Sequence, residues 1–93
     1  MSFTKDSAVD EAKKDLAQRL GVDADKIAVR SVTEREFPDM SLGLPVDDEL
    51  AAQMIATGWS IELEADGKSY EYRGDRYQLR LAGPGGRNHL IAG

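Results

Sequence analysis

One histidine, His89, and a scatter of carboxylates are the residues whose types could do chemistry in this chain of 93 residues. Cysteine is absent, which removes disulfide frameworks, thiolate metal sites and sulfur nucleophiles together. A lone imidazole cannot build a metal site or activate a nucleophile without partners, so His89 reads as a surface residue. No serine stands in a strand-turn-helix elbow. Glu62 and Glu64, with Glu71 across a hairpin, could supply paired carboxylates. Acid/base catalysis needs an environment that moves at least one pKa, and sequence alternation puts all three on a wet face. Asp23 and Asp25 form a D-x-D pair that lacks the glycine and distant glutamate of a calcium loop, so a solvated turn is preferred. Gly83-Pro84-Gly85-Gly86 resembles a phosphate loop in glycine content alone, because no Lys-Ser/Thr follows and no helix begins there. Arg73-Gly74-Asp75 spells an adhesion tripeptide, but Gly-Asp already serves as a turn between two strands. The expectation is no catalytic residue, no metal site, no cofactor and no enzymatic activity.

The elements that must position any site are legible from periodicity. Ser7, followed by Asp10 and Glu11, suits a helix start. Val9, Ala12, Leu16 and Leu20 recur at spacings of three and four, and Gly21 suits a left-handed cap, which predicts a helix over about 7–20. Lys26 to Phe37 reads as a strand, with a bulge near Ser31 needed to keep Ile27, Val29 and Val32 on one side. Glu34, Arg35 and Glu36 read as a solvated run. Trp59, Ile61 and Leu63, then Tyr70 and Tyr72, then Tyr77, Leu79 and Leu81 alternate with polar residues. Asp66-Gly67 and Gly74-Asp75 are the turns between them. The aromatic residues share parity with the aliphatic ones, which makes them core rather than a stacking platform. The fold class expected is α+β, one N-terminal amphipathic helix packed on a three- to four-stranded antiparallel sheet. Residues 1–93 make a single domain, ordered over about 7–82, with 83–93 a flexible tail.

Composition narrows the partners. Seventeen acids against twelve bases give a net charge of −5, the wrong sign for nucleic acid or an anionic membrane surface. No long apolar run and no signal-like start are present, and the lack of cysteine is compatible with a cytoplasmic setting. The remaining feature is the connection 38–58. Its first part, Pro38, Asp39, Met40, Ser41, Leu42 and Leu44 with Gly43 and Pro45, carries apolar side chains between turn residues. Such a loop either closes the core or is offered to a partner. Residues 47–56 read either as a helix by propensity or as a helical turn followed by a short strand at 52–56.

In this order, Leu20-Gly21-Val22, Ile27-x-Val29, Phe37-Pro38-Asp39-x-Ser41-Leu42-Gly43-x-Pro45, Ala52-Gln53-x-Ile55 with Gly58, and Tyr70-Glu71-Tyr72 resemble a small uncharacterised domain recurrent in bacteria, including cyanobacteria. That pattern runs L-G-V, W-P-D-x-S-L-G-C-P, Y-A-Q-x-I-T-P-G-Y and Y-E-Y-H, and the likeness covers roughly residues 8–82. The resemblance implies no established activity. Its layout is similar to PepSY-like or cystatin-like domains. Where relatives often carry a cysteine pair, this chain has Leu44 and, approximately, Gly83. Phe37 replaces a tryptophan and Arg73 a histidine. The resemblance favours the short strand at 52–56.

Three functions are therefore open. The leading one is a non-catalytic interaction or regulatory module that takes a protein or peptide on Pro38, Asp39, Met40, Ser41, Leu42 and Leu44, or on a sheet edge. A small hydrolase or lyase would use Asp39, Glu36 and Ser41 and would show a carboxylate titrating above its usual range. A structural homodimer, weak enough to leave monomer, would pair an edge strand.

Overall fold

The computed structural model describes residues 2–93. Helix α1 spans Lys5–Leu20, and five strands follow: β1 Ala28–Phe37, β2 Ala56–Ala65, β3 Lys68–Gly74, β4 Leu79–Leu81 and β5 His89–Ala92. The strands form one antiparallel sheet in the order β1-β2-β3-β4-β5. Among the described residues no helix is long and apolar enough to cross a membrane.

The helix starts earlier than its apolar stripe suggests. Thr4 is the cap: its hydroxyl accepts from the Ser7 backbone N–H, and the Ser7 hydroxyl accepts in return from the Thr4 N–H. This is a capping box in which serine takes the place usually held by Glu or Gln. Gly21, at φ 68°, closes the other end with its N–H on the Ala17 and Gln18 carbonyls. Ala8, Ala12, Leu16 and Ala17 are buried, while Val9 and Leu20 pack at the margin. The buried stripe is thus rotated slightly from the one expected. Small alanines let the helix lie close over Ile61, Leu63, Tyr72, Leu79 and Leu81. The Tyr72 hydroxyl reaches across to donate to Asp15 at 2.7 Å, so its one polar group is satisfied within the core. Burial of the ring, then the Asp15 carboxylate beside it, push the Tyr72 phenol far above its ordinary value.

Register follows the alternation. A shift between Val29 and Ser31 supplies the expected bulge in β1. Asp66 and Gly67, both at positive φ, make the tight β2–β3 turn. Ile61 pairs with Tyr72, and Tyr72 with Leu81, so these residues line the helix side.

Several expectations need correction. The sheet has five strands, not three to four, because residues 89–92 pair with β4 instead of forming a loose tail. Residues 46–55 are neither a helix nor a strand at 52–56; β2 begins at Ala56, and Phe37 pairs directly with it. Tyr77 is 66% exposed instead of core. Asp75 accepts from the Tyr77 and Gln78 N–H groups, an Asx-type turn that holds residues 75–78 out of the ladder and delays β4 to Leu79.

Candidate functional site

The connection between β1 and β2 folds back over the sheet on the side away from the helix. Phe37 and Ala56 are a cross-strand pair, so they share a face. On β2 that face carries the even-numbered residues, opposite to Ile61 and Leu63. Phe37, Leu42 and Ala56 form a second small buried cluster there, with Met40 against it. One end of the outer face, expected to be wholly solvated, is thus covered by the loop.

The loop is shaped from within. Asp39 Oδ1 accepts from the Ser41 N–H at 2.9 Å, the Ser41 hydroxyl at 2.5 Å and the Gly43 N–H at 3.3 Å. The Ser41 hydroxyl and those backbone donors hold the Asp39 carboxyl below its ordinary range. Two turns overlap, Leu42 N–H to Asp39 carbonyl and Leu44 N–H to Ser41 carbonyl. Leu42 and Gly43 are consecutive left-handed residues, at φ 59° and 70°. A leucine there costs roughly 1–2 kcal/mol of backbone strain. Burial of its side chain, which is fully inaccessible, offsets that cost.

Side chains of β3, β4 and the segments just before β4 and β5 then strap the loop down through its carbonyls. Gln78 Nε2 donates to the Met40 carbonyl at 2.7 Å, Arg73 Nη1 to the Leu42 carbonyl at 2.9 Å, and Arg80 Nη1 to the Leu44 carbonyl at 3.1 Å. Asn88 Nδ2 donates to the Pro45 carbonyl at 2.9 Å. Arg73 and Arg80 are register partners on β3 and β4, so they rise side by side. Arg73 also lies 5.4 Å from the Phe37 ring centre, with Arg35 at 4.9 Å. Arg80 is only 4% exposed; both its terminal nitrogens donate to Glu49, at 2.5 and 2.6 Å, and Nε donates to Gln78 Oε1 at 2.6 Å. The Arg80 guanidinium holds the Glu49 carboxyl below its ordinary value.

The six candidate binding residues therefore separate. Ser41, Leu42 and Leu44 are buried, Asp39 and Met40 half-buried, and Pro38 exposed. Their location is a packed loop closing a second core. Exposed apolar surface lies just beyond it. Met40 N–H donates to the Ala52 carbonyl and closes the neck of the connection. Around that neck runs an exposed arm, residues 50–55: Leu50 inside the closed loop is fully exposed, and Met54 and Ile55, between the neck and β2, are 64% and 68% exposed. Asp47 and Asp48 stand exposed beside Leu50.

Nothing in the periodicity of Leu50, Met54 and Ile55 marked them as exposed, because the same residues suit a helix stripe. By alternation Gln78, Arg80 and Arg73 are simply the polar, outward positions between Tyr72, Tyr77, Leu79 and Leu81. A signal did exist: a compact Pro/Gly turn leaves carbonyls that must find donors. Among the described residues no group of three or more His, Cys, Asp or Glu side chains could hold a metal ion.

Residues 9–82 match a domain of unknown function, DUF8738. The chain belongs to that family. The DUF8738 region runs from the first turns of α1 to the end of β4 and contains the whole strapped loop; β5 lies outside it. No curated protein matches the chain. No solved structure matches it.

Proposed function

We propose that this DUF8738 chain is a non-catalytic protein-interaction module whose contact surface is the arm 50–55. The observation that carries the reading is the contrast within one connection. Residues 38–49 are strapped down by four side-chain donors from β3, β4 and the segments flanking β4, and by one bidentate ion pair, while Leu50, Met54 and Ile55 beside them face solvent. A rigid base under an apolar arm lowers the ordering cost of binding. Asp47 and Asp48, on a chain of net charge −5, select a partner that offers an apolar hollow rimmed by Lys or Arg.

The enzymatic alternative is disfavoured by the same chemistry. A general acid near the loop would need a carboxyl held above its usual range, whereas Asp39 and Glu49 are both held below it. The Ser41 hydroxyl is buried and committed to Asp39. The order of sequence motifs supports a place among the small bacterial domains with the W/F-P-D-x-S-L-G-x-P pattern. The helix-on-sheet layout, similar to PepSY-like or cystatin-like domains, implies no activity by itself.

The test compares wild-type chain with a Leu50→Asp/Ile55→Asp variant as baits in host lysate, each checked for cooperative unfolding. A basic partner retained by wild type, lost with the folded variant and eluted by moderate salt is expected. Identical captures on both baits would remove the arm from the interface.

A further inference from the structure

The last strand is tied to the sheet by a turn with unusual requirements. A Cβ on Gly83 would sit 1.7 Å from the Arg87 carbonyl oxygen, a backbone atom that cannot swing aside. Gly85 and Gly86 hold φ 66° and 79°. Arg87 N–H donates to the Pro84 carbonyl at 3.3 Å, and Gly83 N–H to Asn88 Oδ1 at 3.4 Å. The glycine demands at 83, 85 and 86 all lie in folding β5 back onto its own β4. The β4–β5 ladder pairs Leu79 with Ala92, Arg80 with Leu90 and Leu81 with His89, and Gly93 at its end packs against Gln78, a contact the strand makes whichever copy supplies it. The strand is lightly held: His89 and Leu90 are exposed, and only Ile91 and Ala92 pack against the main core. The β4 strand beneath it is buried throughout.

We infer that β5 is an exchangeable strand, and that the slot on β4 accepts β5 from a second copy of this chain when the 82–88 turn opens. The occupant follows from the contacts. In trans the same four residues meet the same register, so exchange preserves the buried surface, and opening the turn returns to Gly83, Gly85 and Gly86 the backbone freedom they lose when it closes. Net charge of −5 per copy opposes association, so added salt strengthens the dimer. This inference rests on the turn and the ladder and does not depend on the arm 50–55.

The chain has no cysteine, which makes cross-linking unambiguous. Full-length Leu81→Cys and His89→Cys variants are mixed and oxidised at high concentration; the two positions are register partners, so they meet within disulfide reach only when one copy's β5 lies on the other's β4. A mixed disulfide well above that from a Ser69→Cys/His89→Cys control is expected. Light scattering of Gly83→Val, which cannot close the turn, should show dimer at a concentration about tenfold or more below that of wild type. A mixture that cross-links no better than the control overturns the inference. So does a folded Gly83→Val that stays monomeric up to millimolar concentration with its β5 amides unprotected. Should Gly83→Val fail to fold, the cross-link, made on the native turn, still decides.

Discussion

Arg80→Met tests the idea that the sheet, not the loop's own turns, holds residues 38–49 in place. The substitution keeps an unbranched apolar stem and removes the guanidinium. Three acceptors then lose donors: the Leu44 carbonyl, Gln78 Oε1 and the Glu49 carboxylate. Glu49 retains a 22% exposed side chain and can turn to water, so its charge is not stranded. The other two acceptors are covered. A hydrogen bond to a charged group contributes roughly 1.5–3 kcal/mol, and breaking one side of a fully buried pair costs roughly 3–5 kcal/mol. With Glu49 able to escape, the expected loss is near the lower bound, about 3 kcal/mol. For a chain of this length that corresponds to a fall in Tm on the order of 15 °C. Urea unfolding with an unchanged slope gives the measurement. A loss below about 0.5 kcal/mol would refute the reasoning, since a surface substitution does no more than that. A pH series adds an independent arm. The folded Glu49 carboxyl is held below its ordinary value of 4.5, so its pairing contributes stability above that pH and loses it as pH falls through the lower folded value. The difference between wild type and Arg80→Met should therefore narrow below pH 4.5, and a constant difference would show that Glu49 is not Arg80's partner.

Four further variants test the packing on the two faces of the sheet. Leu42→Ala should cost about 3 kcal/mol in urea unfolding, because the side chain is fully buried on the outer face, and Leu42→Asp should not give a cooperatively folded protein at all. Gly58→Ala should destabilise by more than about 2 kcal/mol or prevent folding, since its Cβ would lie 2.1 Å from the Gly74 carbonyl oxygen on the neighbouring strand. Tyr72→Phe should cost about 1–2 kcal/mol by thermal melting, from the lost bond to Asp15; an unaffected Tm would mean that water serves Asp15 equally well.

How far the sequence carries depends on whether neighbours in the chain are neighbours in space. The helix and the Asp66-Gly67 turn rest on contacts within a few residues, and the β1 bulge, though its partners lie on β2, shows itself as a local slip in the apolar alternation, so periodicity exposes all three. β5 is not legible, because its partner β4 lies across a glycine-rich turn that reads as a terminus. Alternation places Tyr77 in the core only if parity runs unbroken through Asp75, and the Asp75 side chain breaks the ladder there. The loop is the instructive case. Met40, Leu42 and Leu44 have the composition of a recognition surface, and no local rule separates that from a lid on a second core. The deciding residues, Gln78, Arg73 and Arg80, lie more than thirty positions away and look like ordinary solvent-facing polar alternates. Yet a buried carbonyl demands a donor as strictly as an apolar side chain demands cover. Two arginines at paired positions of adjacent strands would repel if both faced bare solvent. Their juxtaposition is stabilising only if acceptors lie above them, and in this fold Glu49, Glu71 and the loop's carbonyls are those acceptors.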